Sequence, residues 1–318
     1  MLLFALGRGM TLPTLPLYAK SLGAGLPAVG LIMGLNGLGA LLCDLPAGLL
    51  ISRIRPYPAM IIGLSGIGVC ALGMAVIESP VVLAVFNFVS GASLSVWHIS
   101  CLTYTKEILP IHKRGKALAS LGGTIRLGNF IGPAIGGLLG KYFGLASPFY
   151  GKMVCLLAAA ALVLIFIPAD IRTERVETPP TDKKRVGGIS LLGKILSENW
   201  STLLTVGAAM FSLQLMRIAR QILYPLWGDS IGLDVAAIGI IISASNGIEL
   251  AMFMPAGFVM DSRGRKWTAL PCIIVLTLSF AILPLTTGFW TFFMVGLLAG
   301  LGNGFGAGIN MTLGNDLA

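Results

Sequence analysis

The 318 residues are 56% hydrophobic and only 11% charged, with mean hydropathy +0.89, whereas soluble domains carry about 25% charged residues. A chain so poor in charge cannot cover a water-facing surface, so a soluble globular fold is excluded. The net charge of +9 would suit nucleic acid, but the placement of the basic residues decides otherwise.

Crossing the hydrocarbon core takes about 20 apolar residues in a helix. Ten stretches meet that need: 1–19, 27–51, 58–77, 81–105, 117–140, 148–168, 201–227, 235–260, 267–287 and 289–314. None alternates with the period of a membrane barrel, so the spans are helices and the fold class is all-α and polytopic. The first stretch carries Arg8 in mid-run and lacks a basic start, which describes a spanning helix and not a cleaved signal. Cys43, Cys70, Cys101, Cys155 and Cys272 all fall within apolar runs without CxxC spacing. Neither a disulfide frame nor a zinc site is indicated.

Lys and Arg set the orientation. They gather after even-numbered spans: Arg53 and Arg55; Lys106, Lys113, Arg114 and Lys116; Arg172, Arg175, Lys183, Lys184, Arg185 and Lys194; Arg263, Arg265 and Lys266. The opposite turns carry little beyond Lys20 and Lys141. Basic residues stay on the cytoplasmic side, which predicts a cytoplasmic N-terminus in an inner (plasma) membrane. The basic balance is thus a topology signal; the partner is the lipid bilayer, and nucleic acid is excluded. Residues 169–199, with Pro179 and Pro180, form the one long polar stretch. They are expected to be a cytoplasmic linker ending in a short interfacial helix at 189–198. The run GISLLGKI has P-loop spacing, but no strand precedes it and Ile195 stands where a hydroxyl belongs.

A shift of 209 residues lays the second half on the first. Residues 16–32 match 225–241 at 7 of 17 positions, Pro46-Ala47-Gly48 falls on Pro255-Ala256-Gly257, Gly91 on Gly300 and Arg8 on Arg217. Parallel six-helix repeats with a ligand site between them are one way transporters are built. The expected domains are a six-helix bundle at 1–168, the linker, and four helices of a second bundle at 200–318. Asp316 falls on Glu107, so the register predicts two further helices beyond Ala318.

Several segments resemble the major facilitator superfamily, above all its drug:proton antiporter branch. Gly257, Asp261, Arg263, Gly264, Arg265 and Lys266 resemble the family's loop motif A; the first-half copy keeps Gly48 and Arg53 but has Ser52 in place of the acid. Gly128, Gly132, Pro133, Gly136 and Gly137 are similar to motif C, which the family associates with antiport. Leu6, Gly7, Pro13 and Pro16 resemble the first span of twelve-helix exporters, with Thr14 replacing a usual valine. Where motif B carries an arginine implicated in proton transfer, Asn87 stands here, and Ser90 stands where glutamine is common. The resemblance implies a two-bundle fold with about ten of twelve helices present, and secondary transport of a small molecule coupled to protons.

The glycines of span five recur every four residues. Such a stripe either lets helices approach closely or, with Pro133 removing a helix hydrogen bond, creates a working bend. Asp261 is either part of a tight basic loop or, as the resemblance implies, a latch on the cytoplasmic side.

Charges inside spans are costly and mark pathways. Arg8 and Arg217 lie at matching depths, Glu249 near the middle of span eight, and Arg126 and Asp44 in the inner halves of their spans. Arg220 is one turn from Arg217, and Gln221 shares that face. Four arginines against two acids leave an excess of positive charge: either two arginines pair with the acids and the others reach carbonyls, or the hollow prefers an anionic or zwitterionic ligand. Glu249 is the first proton-carrier candidate and Asp44 the second. His98 is read as a packing partner or a pathway residue.

The expected function is alternating-access transport of small organic solutes, as proton-coupled efflux of drugs or metabolites. An organic anion or organophosphate exchanger using Arg8 and Arg217 is the alternative, and a non-transporting receptor or assembly partner is the alternative of another class. No His/Asp/Glu cluster suggests an enzyme, and no cofactor is expected.

Overall fold

The computed structural model describes residues 1–108, 111–167, 200–306 and 308. Among them there is no strand; the helices are α1 (Leu2–Thr11), α2 (Thr14–Ser21), α3 (Leu26–Ile54), α4 (Pro56–Val76), α5 (Pro80–Ile108), α6 (Ile111–Phe143), α7 (Ser147–Phe166), α8 (Trp200–Ser230), α9 (Val235–Arg263), α10 (Lys266–Ile282) and α11 (Phe289–Phe305). Six of these are long and apolar enough to span a bilayer on composition alone. Leu41, Leu45, Leu49, Val81, Met254 and Phe258 are exposed, an apolar coat that suits lipid and would aggregate in water. The proposed linker at 169–199 and its helix at 189–198, like Asp316, lie outside the described residues.

The first span is not one rod. α1 stops at Leu12 and α2 starts after Pro13, because proline cannot donate the hydrogen bond that would continue the helix.

Within residues 1–167, α1 packs on α6 and α7, α3 on α5, and α4 on α5 and α7; in the second half, α11 is shared by α9 and α10. The apolar cores follow the same division. One joins Phe4, Leu64, Trp97 and Leu156, another Tyr18, Val29, Met74 and Phe149. A third joins Leu213, Tyr224, Leu276 and Phe292. The strongest packing across the halves is α6 on α9.

The 209-residue repeat is visible in the backbone. Gly23 and Gly232, equivalent by that shift, both turn the chain at positive φ, +88° and +80°. A Cβ on Gly91 would overlap the carbonyl oxygen of Asn36, and one on Gly300 that of Ser245; both members of each pair are again 209 apart. The same helix crossing is built twice, each time with glycine where two backbones touch.

One equivalence is broken. Gly264 ends α9 at φ 88°, ψ 169°, but Arg55 holds the matching position at φ 68°, ψ 156°. Among the described residues it is the one non-glycine at positive φ. That region costs a side chain about 1–3 kcal/mol. The substitution Arg55→Gly is therefore expected to raise stability by about 1 kcal/mol after the glycine's extra unfolded entropy is counted. A thermal unfolding series in detergent checks this, and a lowered midpoint would refute it.

Candidate functional site

A cavity of about 250 Å³ lies between α6 of the first half and α8, α9 and α11 of the second. It is near the lower end of small-molecule clefts, about 300–1,000 Å³. Helical periodicity builds its walls. Gln214, Arg217, Gln221 and Tyr224 form one face of α8, with Arg220 beside them; Ile242, Ser245, Asn246 and Glu249 form one face of α9. These spacings of three and four residues stack side chains on a single stripe. α6 adds Arg126 and Asn129, α11 adds Asn303, and Leu12 closes the wall at the break between α1 and α2.

Glu249 is the hub. Arg126 Nη1 donates to its Oε1 at 2.9 Å across the two halves, and Arg220 Nη2 stands 3.5 Å from Oε2. Asn303 Nδ2 donates to that same Oε2. Asn303 in turn accepts from Arg217 Nε at 2.7 Å, while Arg217 Nη2 donates to the carbonyl of Gly306, also at 2.7 Å. Arg220 reaches Ser245 and Asn246, and the Arg126 guanidinium lies 4.5 Å over the Phe253 ring. Two arginines therefore meet one carboxylate on this cavity directly, and a third reaches it through Asn303.

The motif C helix is wedged between the halves. Added Cβ atoms would strike Ala5 from Gly128, Gly9 from Gly132 and Met10 from Gly136, all on α1. From Gly137 a Cβ would stand 2.6 Å from the carbonyl oxygen of Val235 on α9. Pro133 has no N–H to give the carbonyl of Asn129 four residues earlier. That oxygen instead accepts from Asn246 Nδ2 at 2.8 Å, and Ser243 Oγ accepts from the Ala134 N–H at 2.8 Å. The proline break is stitched to α9.

Two exposed ion pairs join the halves at the Lys20 end. Lys20 meets Asp229 at 2.7 Å and Lys141 meets Asp234 at 2.6 Å. Lys20 and Asp229 are repeat equivalents, so they meet on the pseudo-twofold axis. Exposed pairs contribute only about 0.2–1 kcal/mol each, enough to bias a closure but not to lock it. Asp234 also caps α9, accepting from the Ala237 N–H. The Lys141 hydrogen bond, then that amide, hold its carboxyl below the usual 3.8. A depressed value stabilises fully above the ordinary carboxylate range and is lost as pH falls through the lowered one. Closure of this end is thus expected to weaken on acidification below about pH 4, and Asp234→Asn to reduce that dependence. Spin-label distances across the end, measured against pH, check it.

Arg126, Arg217, Arg220, Gln221 and Glu249 converge on the one cavity. Arg8 lines a second, smaller one in the first half, and Arg217 lines the larger. Asp44 is exposed and accepts a hydrogen bond from Ser95 Oγ, and His98 is exposed; neither lines a described cavity. Asp261, Arg263 and Gly264 are exposed, as is Lys266, with Arg265 partly covered. Asn87 bonds α5 to α3 through Ile32 and Asn36.

Sequence reasoning passed over Asn303, Asn129, Asn246 and Lys152. Asn303 falls on Leu94 in the repeat, and that exchange of an apolar for a polar residue was the available signal. Lys152 sits near a helix start, where a lysine ordinarily reaches for the interface.

A helical membrane protein with a repeated half, a charged cavity between halves and a glycine helix carrying an internal proline beside it is built as a secondary transporter. The Major Facilitator Superfamily description fits residues 1–318, and the chain belongs to that family of membrane transporters. It is 25% identical over 307 residues to the quinolone resistance protein NorA of Staphylococcus aureus, covering 94% of this chain and 75% of NorA. It is 21% identical over 286 residues to MJ1560 of Methanocaldococcus jannaschii, an uncharacterised MFS-type transporter, covering 90% and 72%. Among solved structures it resembles the nucleoside transporter NupG, with TM-score 0.71, 15% identity and coverage of 96% and 78%. It also resembles an inward-facing bacterial homologue of the lysosomal transporter Spinster, with TM-score 0.72, 13% identity and coverage of 98% and 74%.

Proposed function

We propose that this transporter exports small organic solutes across the plasma membrane in exchange for protons, by alternating access between a bundle at 1–168 and a second bundle beginning at residue 200. The N-terminus is cytoplasmic in this reading. The observation that carries it is the Arg126–Glu249 pair, which joins the halves across the cavity. One carboxylate is held by partners from both sides, so its protonation would loosen the contact between α6 and α9. The Lys20 end is tied by two ion pairs and by the α6–α9 approach, which fits a state closed on the outer side. Export is supported by the likeness to NorA and to motif C.

A second reading is favoured by the charge balance: three arginines to one acid suit an anionic solute, so organic anion exchange is the competing mode. Reconstituted vesicles separate them. Antiport is expected to show solute movement driven by a pH gradient, for the lipophilic cation tetraphenylphosphonium or for benzoate. Solute exchange indifferent to the pH gradient would establish the second reading and overturn the first. No movement of either probe would point to a non-transporting role.

A further inference from the structure

The smaller cavity, about 30 Å³, is enclosed by α1, α3, α4, α5 and α7 and lined by Phe4, Arg8, Asn36, Ser90, Leu94 and Lys152, among others. One water needs about 10–15 Å³, so the space suits a few waters or one small oxyanion group. Lys152 is buried, 8% exposed, while Arg8 is exposed at the mouth. α7 presses Lys152 on α1: a Cβ on Gly7 would lie 3.3 Å from the Lys152 backbone. Among the described residues, neither cationic side chain makes a hydrogen bond or ion pair.

The repeat explains how this imbalance arises. In the second half Arg217 bonds Asn303, and Asn303 hands that contact to Glu249. A shift back by 209 carries Arg217 to Arg8, Ser245 to Asn36, Asn303 to Leu94 and Glu249 to Ala40. The first half keeps the cation and lacks both the relaying amide and the acid. Lys152 places a second cation on the same cavity. A buried ammonium with a second cation beside it is unfavourable unless a negative charge meets them.

We propose that Arg8 and Lys152 bind an oxyanion group of the transported solute, a carboxylate or phosphate, with Asn36 and Ser90 as further polar contacts. This deepens the transport reading and rests on it: the solute class becomes organic acids and zwitterions. The guanidinium at the mouth receives the group and the buried ammonium holds it at the base.

Binding of benzoate and of inorganic phosphate to the purified chain in phosphatidylcholine nanodiscs tests this, with tetraphenylphosphonium as the cationic control. Saturable binding of at least one anion is expected. Arg8→Gln and Lys152→Gln should each weaken it about tenfold or more, the ordinary weight of a charged hydrogen bond, without weakening the cation. Lys152→Arg should restore most of the affinity. Ala40→Glu restores the acid of the other half and keeps both cations; it should abolish anion binding in a folded protein. Wild-type protein that binds neither anion, or Gln variants and Ala40→Glu that bind as wild type does, overturns the proposal. Displacement of the anion by phosphatidylglycerol in the nanodisc would assign the site to a lipid headgroup and likewise overturn it. Anion binding without pH-driven transport would strike the antiport reading alone, and pH-driven transport without anion binding would strike this one alone.

Discussion

Glu249→Gln is expected to reduce pH-driven transport to the level of protein-free vesicles while solute exchange down its own gradient continues. The amide keeps the shape of the side chain, so Oε1 can still accept from Arg126. It cannot take up a proton, and in the proposed cycle that proton frees α9 from α6. The replacement has a structural cost as well. Removing one partner of a buried pair costs about 3–5 kcal/mol, and the value here should be smaller because Arg126 and Glu249 side chains are 19% and 21% exposed. A folded variant lacking only proton coupling is therefore the expected result. Asp44→Asn is the comparison: Asp44 meets Ser95 away from the cavity, so coupling should persist. Unchanged pH-driven transport in Glu249→Gln would remove that residue from the proton pathway.

The second large effect is conformational. In Gly239→Val a Cβ would overlap the Pro133 carbonyl oxygen and stand 3.0 Å from the Gly137 Cα. Both obstacles are backbone and cannot rotate away. Overpacking of this kind costs about 1–3 kcal/mol, and it acts only on the state in which α6 and α9 touch. The closed population should fall about 5- to 150-fold relative to the opposite state. Cysteines replacing Lys20 and Asp229, whose side chains meet at 2.7 Å, provide the readout through a short bismaleimide cross-linker. Cross-linking should drop in Gly239→Val. It should not change in Gly34→Val, where nothing lies within 4 Å of the added carbon. Equal cross-linking in all three would mean that the halves do not part along this seam.

Much of the architecture could be read before any coordinates. Hydrocarbon thickness and the need to satisfy every backbone group leave helices about 20 residues long as the spanning option, and the helices fall where the apolar stretches do. Pro13 shows the limit of hydropathy: the first stretch reads as one span, and the break inside it comes where Pro13 has no N–H to continue the helix. The convergence of Arg217, Arg220, Gln221 and Glu249 was legible because α8 and α9 each present them at spacings of three and four. Position along a helix fixes depth in the membrane. It does not fix which neighbour a side chain faces. Asp44 and His98 have the depth of pathway residues and line neither described cavity, while Lys152, placed like an interfacial lysine, is buried and lines the cavity beside Arg8.

The sequence by itself determined that this is a polytopic helical membrane protein with a repeated half, because the scarcity of charge, the length of the apolar runs and a 209-residue self-match follow from solvent and chain connectivity alone. Only the tertiary structure decided that Arg126 of one half is paired with Glu249 of the other and that Arg8 and Arg217 occupy separate cavities. Those facts depend on the rotation of each helix about its axis, which packing at Gly128, Gly132, Gly137 and Gly239 sets and hydropathy does not encode.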